Sequence, residues 1–286
     1  MRCVTLLPDE MEGQTRDTGM RGMSRTTAAS TFGKALIAPI TVVHRGVMVN
    51  RRWNGSDEAK SGYVNELFSA LAPRYDAMTD VWTFGLHRLW KRQAMELCPP
   101  KPGERVLDVA SGTGDLAFAE AAAVGPGGQV VGVDACAAML DVARRRGRGP
   151  VEFQEGDATD LQFPDETFDV VTIGYGLRNV ADRPKALREF HRVLRPGGRL
   201  MVLDFSTPTS KPLKGLHDFF YFGAMPKVGR VVAWHRDAHH YTADSIRTWL
   251  SRDELRAMMR EAGFADARYV SLTTGFSTVH LGSRAD

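Results

Sequence analysis

Val106-Leu107-Asp108-Val109-Ala110-Ser111-Gly112-Thr113-Gly114-Asp115-Leu116-Ala117 reads as a buried strand that runs into a glycine turn and then a helix. Val106, Leu107 and Val109 suit a strand packed on both faces, while Gly112 and Gly114 let backbone approach a ligand that any Cβ would push away. The spelling also satisfies the degenerate dinucleotide fingerprint G-x-G-x-x-G/A, so the turn by itself leaves the cofactor open.

Working outward, strands and helices alternate. Strands are expected at 105–110, 129–134, 151–155, 168–174 and 199–205, and helices at 114–123, 136–146 and 182–194. That rhythm predicts an α/β fold, a Rossmann-like doubly wound and mostly parallel sheet. Pro126-Gly127-Gly128 and Pro196-Gly197-Gly198 each end a helix and launch a strand. A last helix at 252–262 ends at Gly263, and 268–272 with 277–281 form an antiparallel C-terminal hairpin. Before the sheet, Val64, Leu67, Phe68 and Leu71 recur at helical spacing from Ser61 to Pro73, and a second helix follows at 86–97. These two make an N-terminal helical cap, 61–98. Residues 206–245 break the rhythm with a long, aromatic, irregular insertion, the kind of stretch that serves a binding site.

Residues 1–57 show no sustained period and are rich in Arg, Thr, Ser and Met, so the domain is expected to span 58–286. The extension is read as disordered, as preceded by a misplaced start with Met20, Met23 and Met48 as alternatives, or as a targeting peptide. Asp9, Glu10, Glu12 and Asp17 oppose the last, and the acid-free stretch from Met20 to Trp53 favours it. The compartment follows from that choice: cytoplasmic and peripheral to a membrane, or mitochondrion or plastid. Lys and Arg number 37 against 34 acids, a net charge of +3, too small to imply nucleic acid as the main partner. Cys3, Cys98 and Cys136 lie far apart, which fits neither a metal site nor a disulfide framework. The apolar run from Ala35 to Val43 is broken by Pro39 and is shorter than the roughly 20 residues of a spanning helix.

The second expected strand ends in Asp134, 20 positions after Gly114, where a doubly wound fold offers an acid to a ribose hydroxyl pair. Asp157, with Ala158 beside it, follows the third strand and can accept from an exocyclic amine such as adenine N6. Asp108, Asp134 and Asp157 stand at three adjacent strand ends and are expected to define one crevice. Asp108 and Asp115 would repel a diphosphate, whereas they suit S-adenosylmethionine, which carries an ammonium and a sulfonium and no phosphate. Asp115 also suits a helix N-terminus for its dipole alone.

Further words resemble one family. Tyr75-Asp76-Ala77-Met78-Thr79-Asp80, Phe84-Gly85-Leu86-His87-Arg88-Leu89-Trp90-Lys91, Gly174-Tyr175-Gly176-Leu177-Arg178-Asn179-Val180 and Leu194-Arg195-Pro196-Gly197-Gly198 are similar to the UbiE/MenG-type quinone-biosynthesis C-methyltransferases, which have the class I methyltransferase fold. The similarity runs from about Tyr63 to Gly282, and Gly-Leu-Arg-Asn-Val is its most specific word. It implies a prenylated quinol substrate, demethylmenaquinol or a polyprenyl methoxybenzoquinol. It also implies a cofactor site at Thr113, Asp134, Asp157, Ala158 and Gly174, with Gly112 and Gly114 forming the turn. The chain departs from the family pattern at Thr79, where Asn is common, at Asp204, where Glu is common, and around His240-Tyr241-Thr242. Gly174-Tyr175-Gly176 and Leu203-Asp204-Phe205 resemble the phylloquinone-type members, so the ring system stays open.

Methylating a ring carbon needs an electron-rich quinol and a group that takes up or stabilises phenolate charge; the remaining work is positional and calls for no metal. Arg178 and Asn179, after the fourth strand, are candidates to meet the substrate. Arg178 either stabilises a phenolate or pairs with an acid such as Asp182. Tyr75 is either a hydrogen-bond donor to the quinol or cofactor, or a buried aromatic. His87 is a weaker base candidate beside Arg88 and Trp90, where a packed histidine is the plainer reading. In the insertion Lys211, Lys214, Lys227 and Arg230 interleave with Leu213, Leu216, Phe219, Phe220, Tyr221, Phe222 and Met225, either clasping an isoprenoid tail at a bilayer surface or forming core and solvated faces. His235, His239 and His240 lack the frame of a metal site. The competing functions are methylation of another aromatic or lipid-like metabolite, an NAD(P)-dependent oxidoreductase on the same turn, and a silent scaffold in a quinone-synthesis complex. A homodimer or such a complex are the partners open to it.

Overall fold

A computed structural model of the chain describes residues 57–224 and 236–286. The expectations for the amino-terminal extension and its alternative starts lie outside these residues, as do Cys3, Met225, Lys227, Arg230, His235 and the side chain of His239.

The strands are β1 (Arg105–Val109), β2 (Gln129–Asp134), β3 (Val151–Glu155), β4 (Phe168–Gly174), β5 (Leu194–Phe205), β6 (Arg268–Leu272) and β7 (Ser277–Ser283). They form one seven-stranded sheet in the order β3-β2-β1-β4-β5-β7-β6. The first five run parallel, and β7 lies antiparallel between β5 and β6. The C-terminal hairpin therefore closes the sheet, with β7 rather than β6 against the parallel part. β5 begins earlier than expected because Pro196-Gly197-Gly198 does not end the pairing: Gly197 N–H donates to Arg284 O at 3.0 Å and Arg284 N–H to Gly198 O at 2.9 Å.

Alternation along β1 explains why the sheet is covered on both faces. Leu107 and Val109 belong to a core with α6 (Arg183–Val193) and α9 (Arg252–Glu261), including Leu187, Phe190 and Met259. Val106 faces the other way, into a core with α3 (Leu86–Leu97) and α4 (Asp115–Val124) that contains Trp90, Ala94 and Ala117. A further helix, α5 (Ala137–Arg146), follows β2. Local chemistry fixes the ends: Asp182 accepts from Lys185 N–H at the start of α6, and Ser251 with Glu254 forms a capping box on α9.

Two expectations are corrected. The cap holds three helices, not two: α1 (Asp57–Leu71), α2 (Tyr75–Thr83) and α3. Pro73 does not close the cap's first half; it sits in the first turn of a 3-10 segment, Ala72–Arg74, where its missing N–H leaves nothing unpaired. The insertion is helical rather than irregular where it is described, with α7 (Lys211–Asp218), a π-helical turn at Phe219–Ala224, and α8 (Arg236–Arg247). Its histidines and aromatics hide a helical period that a search for aliphatic spacing misses.

Candidate active site

The glycine turn does two different jobs with its two glycines. Gly112 (φ +56°) faces open space where a Cβ would meet nothing within 4 Å. Gly114 (φ +84°) is packed instead, since a Cβ there would lie 2.8 Å from the Phe118 ring and 2.9 Å from that of Phe153. Left-handed backbone on an open face accounts for Gly112, and close packing against the Phe118 and Phe153 rings accounts for Gly114. Asp134 fixes the turn from β2: its Oδ2 accepts from Gly112 N–H and its Oδ1 from Cys136 N–H, both at 2.8 Å. Burial pushes this carboxyl up against the pull of those two donors.

Asp108 sits below the turn, not in it. It is buried with Glu120 of α4, and the Thr172 hydroxyl lies 3.2 Å from Asp108 Oδ1 and 2.8 Å from Glu120 Oε1. Burial raises both carboxyls, Asp108 to about 7, and the charge of Asp108 raises Glu120 further. Asp157 points elsewhere: it is exposed and accepts from Thr159 N–H at 2.7 Å, while Ala158 packs against the core. The three acids stand near adjacent strand ends, and none of them is among the residues that line the cavity beside the turn. β1 is central, so its penultimate residue, Asp108, is inside the sandwich, whereas Asp157 follows an edge strand.

A cavity does open beside the turn, lined by Ala110, Ser111, Gly112 and Thr113 on the sheet side and by Tyr75, Asp76, Thr79, Trp82 and His87 on the cap side. Gly174, Tyr175, Arg178, Phe205, Tyr241 and Thr242 also line it, as do Met78, Lys91 and Asp115. Two of the wall residues, Ala110 (φ 53°) and Tyr175 (φ 61°), are non-glycine residues in the left-handed region at the ends of β1 and β4. They fit because Gly176 leaves room for the Ala110 Cβ, which would be 2.4 Å from a Cβ at that glycine.

Side-chain charge pins the cap onto the turn. Asp76 of α2 accepts from the Thr113 hydroxyl at 2.7 Å and pairs with Arg146 of α5 at 3.0 Å. Arg146 also reaches Asp115 and the Thr113 carbonyl, at 2.8 and 2.7 Å, and Lys91 of α3 approaches Asp115 at 3.2 Å. Burial opposes the charge on Asp115, yet Lys91 and Arg146 prevail and hold its carboxyl below the usual range. This corrects the charge argument from the sequence, because Asp115 is neutralised by two cations and does not present a bare anion.

Arg178 is buried on the cavity wall and is anchored by Asp204, not Asp182. Its Nη1 lies 2.9 Å from Asp204 Oδ1 and also donates to the Tyr175 carbonyl, and its guanidinium sits 5.1 Å from the Phe205 ring centre. Its Nε has no partner among the described residues. Asn179 is not among the lining residues and accepts from the Tyr241 hydroxyl at 3.0 Å. Tyr75 is raised by burial, with Arg178 acting in the opposite direction. His87 is held neutral: burial, then Lys91, lowers it to about 4, and Thr83 Oγ1 lies 2.8 Å from its Nδ1.

Of the residues singled out from sequence, Tyr75, Gly112, Thr113, Gly174 and Arg178 line this cavity, while Asp108, Gly114, Asp134, Asp157, Ala158 and Asn179 are not among its lining residues. Sequence reasoning gave no role to Asp76, Lys91, Arg146, Asp204 or Tyr241. The signal for Asp76 was present in the word Tyr75–Asp80, and for Asp204 and Tyr241 in the departures from the family pattern. Arg146 lay within a run of three arginines and had none. Among the described residues, no group of three His, Cys, Asp or Glu is placed to hold a metal ion.

The sheet order and the glycine turn after β1 define the class I methyltransferase fold. Residues 56–284 match the ubiE/COQ5 methyltransferase family, and the chain belongs to it. It is 44% identical over 230 residues, 79% of this chain and 92% of the relative, to the ubiquinone/menaquinone biosynthesis C-methyltransferase UbiE of Escherichia coli. Solved structures share the fold. One is a Haloferax volcanii methyltransferase complexed with its Trm112 activator (TM-score 0.59, 20% identity, 77% of this chain and 98% of that one). Another is the [4+2]-cyclase SpnF (TM-score 0.57, 18% identity, 79% and 96%), so the fold alone does not fix the reaction.

Proposed function

We propose that this chain methylates a ring carbon of a prenylated quinol, of the demethylmenaquinol or polyprenyl methoxybenzoquinol kind, in quinone biosynthesis. S-adenosylmethionine supplies the methyl group and departs as S-adenosylhomocysteine. The residues beside the turn fit such a ligand: Gly112 faces open space, where even a Cβ would meet nothing within 4 Å, and it stands on the cavity wall between Ser111 and Thr113. Thr113, Gly112 and Gly174 would hold it, with Asp134 fixing the turn from behind and Asp108 setting the charge beneath. Asp157 and Ala158 would border its far end.

The observation that carries the quinol reading, beside family membership, is Arg178, which lines the cavity and is held there by Asp204. Carbon methylation of a quinol is helped by loss of a phenolic proton, because the resulting oxyanion pushes electron density onto the ring. A buried guanidinium, already oriented by Asp204 and stacked on Phe205, stabilises that oxyanion without reorganising at the moment of reaction. Tyr75 and Trp82 of the cap, with Phe205, supply the apolar and aromatic walls that exclude water. Asn179 acts through Tyr241, whose ring belongs to the wall.

The test is mass spectrometry of the quinones in a bacterial strain lacking its quinone methyltransferase, with and without this chain. The methylated naphthoquinone or benzoquinone should return with the chain, and Arg178→Ala should fail to restore it. Persistent accumulation of the unmethylated quinone, with the chain expressed and binding S-adenosylmethionine, would assign the site to another aromatic or lipid-like acceptor.

A further inference from the structure

His87 lines the cavity but takes no part in seating the cofactor or in stabilising a phenolate. Two left-handed residues, Phe84 (φ 50°) and Gly85 (φ 71°), reverse the chain between α2 and α3, so His87 in the first turn of α3 folds back onto Thr83, the last residue of α2. Both side chains are buried, at 2% exposure each. The Thr83 hydroxyl has one proton and gives it to the Thr79 carbonyl at 2.7 Å, so its oxygen accepts from His87 Nδ1–H at 2.8 Å. A ring protonated at Nδ1 leaves a lone pair on Nε2, and burial, then Lys91, keeps a second proton away. Asp80 Oδ1 stands 3.8 Å from Nε2, beyond hydrogen-bond reach, and is taken by Arg88 Nε at 2.8 Å. Nε2 is therefore left to a ligand of the cavity, and it meets that ligand as an acceptor.

We propose that His87 is a specificity-determining residue that makes the site select the reduced quinol and refuse the oxidised quinone. The inference rests on the quinol reading and adds which oxidation state the site is built to hold. The two states differ at their oxygens: a quinol hydroxyl donates and accepts, whereas a quinone carbonyl only accepts. Arg178 and Lys91, the cations among the lining residues, are donors and serve either state. The carboxylates of the lining, Asp76 and Asp115, are engaged by Thr113, Arg146 and Lys91. Nε2 differs from all of these. A quinol hydroxyl that reaches it gains a hydrogen bond, while a quinone carbonyl in the same place sets lone pair against lone pair and leaves a buried acceptor unpaired. The choice serves the reaction, because only the quinol ring carbon is rich enough in electrons to attack a methyl group, and a bound quinone would block the site.

The experiment is anaerobic titration calorimetry of the full chain, saturated with S-adenosylhomocysteine, with a short-tailed prenyl naphthoquinol and a methoxybenzoquinol, each compared with its own quinone. Wild type should bind one quinol at least about tenfold more tightly than its quinone. His87→Leu should bring the two within about threefold by weakening the quinol and not the quinone, with S-adenosylhomocysteine affinity within about twofold of wild type. Thr83→Val keeps the imidazole but removes the acceptor for Nδ1–H, so either nitrogen can carry the proton. It should bind the quinone more tightly than wild type does, a gain that a merely loosened pocket would not produce, and it serves if His87→Leu unsettles the cap. Wild type binding a quinol and its quinone equally, or a preference that either substitution leaves unchanged, would overturn this inference alone. Failure of both ring systems to bind in either state would overturn the substrate reading and this inference with it.

Discussion

The two sides of the cavity are built by different means. The sheet side is held by buried aliphatic packing and by backbone hydrogen bonds, with Asp134 spanning from β2 to the glycine turn. The cap side adds to its apolar contacts, Trp90 and Ala94 of α3 and a small cluster around Ala72, Cys136 and Met139, a set of side-chain charges at half-buried positions: Asp76, Arg146, Asp115 and Lys91. A packed sheet resists distortion, whereas a handful of partly solvated ion pairs open at small cost. The division suits an enzyme whose cofactor needs a fixed seat and whose bulky acceptor has to enter and leave past a cap.

Breaking the Arg178–Asp204 pair should have the largest effect on stability. Asp204→Ala strands a buried guanidinium, and urea unfolding should show a loss of about 3–5 kcal/mol, with Asp204→Asn losing less. Loosening the cap should cost far less. Asp76→Ala removes one hydrogen bond and one partly exposed ion pair, about 1 kcal/mol, but hydrogen exchange should speed up in 57–97 while the strands keep their protection. A loss of protection spread evenly over sheet and cap would erase the distinction between the two sides.

A smaller effect sharpens the sheet side. Burial raises the Asp108 and Glu120 carboxyls, so the folded chain keeps protons that the unfolded chain releases above about pH 4. Stability contributed by the protonated pair is complete below that value and declines as pH rises through the raised folded-state values. Glu120→Gln keeps an oxygen for the Thr172 hydroxyl and removes one titration. Its melting temperature should therefore fall less than that of wild type on going from about pH 5 to pH 8. Parallel curves would mean that the Glu120 carboxyl is not raised.

These contrasts also explain what was legible. β2, β3, β4 and β6 follow the sequence reading residue for residue, because short runs, buried in β2 and β4 and half-exposed in the edge strands β3 and β6, are bounded by Gly, Pro or charge that leave few alternatives. α2 escaped since its nine residues place Asp76, Thr79 and Asp80 among the apolar ones, and its stability comes from partners on α5 and the glycine turn. The helices of the insertion escaped for a similar reason. In the site, the turn and Arg178 were readable from local words. Asp204 as the partner of Arg178 was not, since 26 residues separate them and only the pairing of β4 with β5 brings them together. The placement of Asp108 under the turn likewise depends on β1 being central, which spacing alone does not reveal.

The account as a whole rests on the sheet side seating the cofactor and the Arg178 wall serving the acceptor. Titration calorimetry with S-adenosylmethionine, alongside single-turnover rates on a short-tailed quinol, separates the two most directly. Asp134→Ala, which frees the glycine turn, should weaken cofactor binding at least tenfold. Arg178→Ala should leave that affinity within about twofold and lower the rate by about a hundredfold or more. Equal loss of cofactor affinity in both variants, or full turnover without the arginine, would contradict it.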